Sequence, residues 1–151
     1  MGRITIDYES GDRGLPEMGF RVTDPRGREI GYDPRTNTGW QGMPLAQAYL
    51  DCDENEETGE LRQCKDHIEI CGPVSGTYRI ELSPIHRGKY SVEVSAESKR
   101  IPTDSAYDVT TSRAELRSEI GNQKSAVLLL RYSRETGTHI TLTEDRHLAN
   151  R

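Results

Sequence analysis

The side chains able to do chemistry crowd into the stretch between Trp40 and Cys71. Its most distinctive run, Asp51-Cys52-Asp53-Glu54-Asn55-Glu56-Glu57-Thr58-Gly59-Glu60, carries six acids and no base. Asp51, Asp53 and Asn55 fall on positions one, three and five of a calcium loop, where oxygen ligands on alternate residues of a curled backbone meet at one Ca2+. The match is partial, because Glu56 stands where the sharp turn takes Gly and Arg62 where a bidentate Glu closes the shell. Calcium is the cofactor this pattern suggests. The bland alternative is a solvated acidic loop that only favours solubility.

Three cysteines, Cys52, Cys64 and Cys71, flank and follow that run, and an odd number cannot all pair within one chain. A Cys52–Cys64 bridge would clip the acidic segment and lower the entropy of the unfolded chain, given an oxidising compartment. A Cys3His zinc site from Cys52, Cys64, His67 and Cys71 has the right ligand count. On a strand, however, His67 and Cys71 would lie roughly 13 Å apart, too far for one tetrahedral ion. Free thiols are the third reading. Trp40, the only tryptophan, sits in the glycine-flanked run Asn37-Thr38-Gly39-Trp40-Gln41-Gly42-Met43. Its indole offers a flat face and one donor, suited to stacking on a sugar ring or filling a partner's pocket; the alternative is a satellite core residue under a loop.

Enzyme motifs fail in turn. Gly72-Pro73-Val74-Ser75-Gly76 has its serine one position late for a nucleophile elbow and reads as a turn between strands. Neither a P-loop, a dinucleotide fingerprint nor an H-E-x-x-H helix is present, and His67-x-Glu69 lacks the P-C-x-x-C that a zinc deaminase needs. The four histidines, His67, His86, His139 and His147, are scattered. The chain therefore reads as non-catalytic, with a small hydrolase or lyase using a His and carboxylates on a sheet face as the alternative.

Any such site must be carried by strands, because the dominant hydrophobic period is two. Ile4, Ile6 and Tyr8 alternate with Thr5 and Asp7; Phe20 and Val22 with Arg21 and Thr23; Ile68 and Ile70 with His67, Glu69 and Cys71. Tyr78, Ile80 and Leu82 follow the same rule, as do Tyr90, Val92 and Val94. Further strands are expected at 106–111, 126–133 and 139–143. Asp24-Pro25-Arg26-Gly27 fits a type I turn, and His86-Arg87-Gly88-Lys89 and Glu135-Thr136-Gly137-Thr138 read as hairpin connections. Residues 113–120 fit either helix or strand, with the strand favoured by its neighbours, and 44–50 has the composition of a short helical turn. The pattern predicts an all-β chain: one antiparallel β-sandwich, Ig-like or jelly-roll-like, of about eight or nine short strands over 1–151, with a long loop at about 36–63.

Composition narrows the function. The chain has 151 residues and a formal charge of -5, which gives no general basic field for nucleic acid. Without the six acids of residues 51–60, 20 bases face 19 acids, so the acid excess belongs to one segment. No apolar run reaches the roughly 18 to 20 residues that would span a bilayer.

The middle of the chain resembles a known pattern. Phe20-Arg21-Val22-Thr23-Asp24-Pro25-Arg26-Gly27-Arg28, then Ile68-Glu69-Ile70-Cys71-Gly72-Pro73-Val74-Ser75-Gly76-Thr77-Tyr78-Arg79-Ile80, then Gly88-Lys89-Tyr90-Ser91-Val92-Glu93-Val94 resemble β-sandwich accessory domains of secreted bacterial proteins, above all the pre-peptidase C-terminal domain family. Gly31-Tyr32-Asp33-Pro34-Arg35-Thr36 is similar to linkers in such modules. The likeness covers about residues 18–96 and implies a non-catalytic binding or structural module of an exported protein, in some cases bound to calcium or polysaccharide. It implies an extracellular or periplasmic location, with a cytoplasmic adaptor pairing through an edge strand as the alternative. Partners would then be a protein or polysaccharide surface, met through Trp40.

Overall fold

In the computed structural model the described residues are 2–10, 18–33, 36–84, 88–99, 109–120, 125–135 and 140–145. They form eleven strands: β1 Arg3–Ser10, β2 Met18–Thr23, β3 Glu29–Asp33, β4 Thr38–Gln41, β5 Ala46–Glu54, β6 Leu61–Cys71, β7 Gly76–Pro84, β8 Gly88–Lys99, β9 Val109–Ile120, β10 Ala126–Tyr132 and β11 Thr141–Glu144. A five-stranded sheet has the order β5-β6-β1-β8-β9, and a six-stranded sheet the order β11-β10-β7-β2-β3-β4. Every ladder is antiparallel. The two sheets pack face to face as a β-sandwich, the expected class.

The core follows from the alternation. Ile4, Ile6 and Tyr8 of β1, Ile68 and Ile70 of β6, and Tyr90, Val92 and Val94 of β8 point inward from one sheet. Phe20 and Val22, Ile30, Tyr78, Ile80 and Leu82, and Leu128 and Leu130 meet them from the other. Burying an aliphatic side chain contributes roughly 1.5 to 3 kcal/mol, so these rows fix which face of each strand is inside. Residues 113–120 are strand: β9 runs unbroken from Val109 to Ile120, because each position pairs with β8.

Asp24-Pro25-Arg26-Gly27 makes the expected β2–β3 turn, with the Gly27 N–H bonded to the Asp24 carbonyl at 2.9 Å and Gly27 at φ 80°. The buried Asp24 carboxylate reinforces it: Oδ1 accepts from the Arg26 and Arg28 N–H groups at 2.9 Å each, and Oδ2 from Arg28 Nε at 2.7 Å. Glu135-Thr136-Gly137-Thr138 lies between β10 and β11, which pair as a hairpin; residues 136–139 themselves fall outside the described ones.

Four expectations are corrected. The 36–63 segment is not a long loop: it contains β4, β5 and the start of β6. Residues 46–50 are strand, not a helical turn, because they pair with β6 from Ala46↔Ile70 onward. Gly31-Tyr32-Asp33 is no linker but the end of β3. His86-Arg87-Gly88-Lys89 does not join a hairpin, because β7 lies in the six-stranded sheet and β8 in the five-stranded one; residues 85–87 themselves fall outside the described ones. The strand count among the described residues is eleven, with β3, β4 and β5 added and 109–111 continuous with 113–120 in β9; residues 106–108 fall outside the described ones. Both side edges of the sandwich are tied. Residues Gly42–Leu45 carry the chain from β4 to β5, and the Ile140 N–H donates to Ser112 Oγ at 3.0 Å, linking the β11 end to β9.

Candidate functional site

Cross-strand partners share a sheet face, so the registers fix what lies outside. On the six-stranded sheet one row reads Trp40 on β4, Gly31 on β3, Arg21 on β2 and Glu81 on β7. Gly31 has φ 155°, and a Cβ there would lie 2.1 Å from the Phe20 carbonyl oxygen, so no side chain can stand between Trp40 and Arg21. The indole and the guanidinium therefore meet across the gap, with the Arg21 carbon 5.1 Å from the ring centroid. Arg21 Nη2 donates to Glu81 Oε2 at 3.0 Å, Arg79 Nη2 lies 3.6 Å from the same oxygen, and Arg21 Nη1 lies 3.9 Å from Glu29.

The next row is Thr38, Asp33, Gly19 and Ser83. A Cβ on Gly19 would come within 2.9 Å of Asp33 Cγ, so the aspartate lies over the bare glycine and is buried. Between the two rows a cavity of about 230 Å3 opens, lined by Gly19, Phe20, Arg21, Asp33, Trp40, Glu81 and Ser83. Trp40 is thus neither a free loop residue nor a core residue. It is a half-buried wall of a small cavity on a sheet face, and the sequence signal missed was the pair of glycines on neighbouring strands.

The outer face of the five-stranded sheet is built otherwise. Its rows read Gln47, Glu69, Thr5, Ser95, Arg113 and Tyr49, His67, Asp7, Glu93, Glu115, with a side chain at every position. Arg3 bridges Glu69 at 3.2 Å and Glu97 at 3.1 Å. Gln47 Nε2 also donates to Glu69 at 3.2 Å, and the Gln47 and Arg3 bonds hold the Glu69 carboxyl below its usual pKa. His67 Nδ1 lies 2.6 Å from Asp7 Oδ1, and the imidazole packs against the Tyr49 ring with centroids 4.7 Å apart. His67 and Cys71 share the outer face of an unbroken β6, as the alternation predicts, so the strand holds them apart.

On the inner face of the same sheet, Asp66 lies beside Tyr8, its cross-strand partner. Burial raises the Asp66 pKa to about 6, partly offset by the hydrogen bond from the Tyr8 hydroxyl. Burial, then the Asp66 charge, raises Tyr8 well above the usual tyrosine value.

The acidic run is a hairpin tip. Asp51 and Asp53 are on β5, paired with Lys65 and Arg62 across a bulge, while Asn55–Glu60 form the turn. Asn55 Oδ1 accepts from the N–H groups of Glu57 and Thr58 at 2.9 and 3.4 Å. Asp51, Asp53 and Asn55 therefore follow an extended backbone into a turn, without the curl of a calcium loop. Among the described residues no group of three or more His, Cys, Asp or Glu is placed to hold a metal ion. The bulge sets the Cys52 backbone opposite residues 63–64, one position or less from Cys64 across the ladder; the side chains of Cys52 and Cys64 lie outside the described ones. Cys71 is exposed and free. No described helix is long and apolar enough to cross a membrane.

No family model matches the chain, and no curated protein and no solved structure matches it either.

Proposed function

We propose that this chain is a non-catalytic binding module of an exported protein, and that it binds its ligand on the outer face of the six-stranded sheet around Trp40. One observation carries the reading: the cavity whose walls are an indole, a guanidinium, two carboxylates and a hydroxyl. Aromatic surface beside a few convergent polar groups is the usual composition of a binding site. The side chains are held before any ligand arrives, Arg21 by Glu81 and Trp40 by Arg21, so little ordering is left for binding to cost. The export half of the proposal rests on the resemblance to accessory domains and on a Cys52–Cys64 bridge, which the hairpin register favours. Closing that loop would stabilise the fold by about 3 kcal/mol. Intact mass without reductant, two protons below the all-thiol value, is the expected reading.

Trp40 is the only tryptophan, so its emission reports on the site alone. Pull-downs on insoluble polysaccharides and on immobilised polylysine and polyglutamate, with Trp40→Ala alongside, test the location. Retention lost in Trp40→Ala supports it; equal retention by a folded Trp40→Ala removes the site from this face.

A second reading has its own observation. The Asp7–His67 contact fixes one ring nitrogen on a carboxylate and leaves Nε2 to act as a base, the arrangement a small hydrolase or lyase would use. Activity against ester or glycoside substrates that vanishes in His67→Ala would favour it; a wild-type chain inert to both classes would end it.

A further inference from the structure

We infer that the ligand of the Trp40 cavity is an uncharged, polyhydroxylated ring, a neutral sugar unit of a glycan; this rests on the binding role proposed for that face. The lining mixes signs within one small space. Arg21 and the indole of Trp40 supply donors, Asp33 and Glu81 supply acceptors, and the Ser83 hydroxyl is both. An anionic ligand would face two carboxylates, one of them the buried Asp33. A cationic ligand would face a guanidinium already 5.1 Å from the ring and bonded to Glu81, and would have to displace it from both.

A hydroxyl group both donates and accepts. Neighbouring hydroxyls on one ring can therefore use guanidinium and carboxylate together without desolvating an unmatched charge. The apolar face of the same ring suits the part of the indole that lines the cavity beside the Arg21 contact. The size agrees: about 230 Å3 is below the usual range for drug-sized ligands and suits one ring rather than several.

The test is titration of Trp40 emission with three probes: neutral hexose oligosaccharides of gluco, galacto and manno configuration, a heparin oligosaccharide, and hexalysine. Saturable binding of a neutral oligosaccharide is expected, changing less than about twofold between about 50 mM and about 500 mM salt because no ion pair forms. Ser83→Tyr puts a ring into the cavity from the β7 wall and should weaken that binding at least about tenfold. Trp40→Phe, which keeps an aromatic face and is followed by calorimetric titration because it has no tryptophan, should weaken it less. A response only to heparin or hexalysine, abolished by Ser83→Tyr and steep in salt, would overturn the sugar assignment and leave the binding face standing. No response to any probe from a folded protein would overturn both.

Discussion

The two outer faces of this sandwich share a vocabulary of arginine, glutamate, threonine and one aromatic, yet only the six-stranded sheet carries the cavity described above. The difference is two missing side chains. On the five-stranded sheet each described outer position from β5 to β9 in the central rows bears a side chain, and the charges fill the surface by pairing across it, as Arg3 does with Glu69 and Glu97. On the six-stranded sheet Gly19 and Gly31 occupy outer positions of adjacent strands. The gaps let Trp40 lie toward Arg21 and Asp33 fold over Gly19, and a hollow remains between them. A flat sheet gains a cavity by omission, at a cost in strand stability that glycine brings.

The largest break in that contrast is Gly31→Ala. Its Cβ would lie 2.1 Å from the Phe20 carbonyl and 2.8 Å from Arg21 Cα, all backbone, so denaturant unfolding should show a loss of about 3 kcal/mol or more. A loss under about 1 kcal/mol would mean the β2–β3 pair can shift, and the gap is not required.

Asp66 sharpens the contrast from the inside. The five-stranded sheet keeps its most perturbed acid on the core face, with a pKa raised from 3.8 to about 6. A raised carboxyl pKa stabilises the fold fully below about pH 4, and that contribution is lost as pH rises through about 6. Stability should therefore fall by on the order of 2 kcal/mol across that window. Asp66→Asn, still able to accept from Tyr8, should flatten the profile and be the more stable chain at pH 7. An unchanged slope would place the titration elsewhere.

Gly19→Ala should cost about 1 to 2 kcal/mol, since Asp33 must move from a 2.9 Å contact, and should reduce Trp40-dependent binding with it. Intact binding in that variant would detach the cavity from the site. The smallest effect is expected on the other face: His67→Ala removes one partly buried contact to Asp7, and thermal melting should register about 1 kcal/mol with no change in ligand retention. A loss of retention there would make the two faces one system.

Much of the frame is legible in the sequence. Ile68 and Ile70 alternating with His67 and Glu69, and Tyr78, Ile80 and Leu82 alternating with Arg79 and Glu81, state their faces outright, and both face assignments hold. Asp24-Pro25-Arg26-Gly27 is readable because its turn needs no distant partner. β4 and β5 escaped because they are edge strands: Thr38-Gly39-Trp40-Gln41 and Ala46-Gln47-Ala48-Tyr49 are held by ladders on one side and bury too little to leave an alternating apolar signal. Glycine at 88 marked an end of strand, but alternation does not say which sheet the next strand joins, so a crossing read as a hairpin.

Sequence by itself determined the class and the inward rows, since side-chain period and turn chemistry act over a few neighbours. Tertiary structure alone decided that Gly19, Arg21, Asp33, Trp40, Glu81 and Ser83 meet, and that Asp51, Asp53 and Asn55 lie along a hairpin. Those outcomes depend on registers between residues far apart in sequence, as in Arg21↔Glu81 and Gly19↔Ser83, which are set by how the whole core closes.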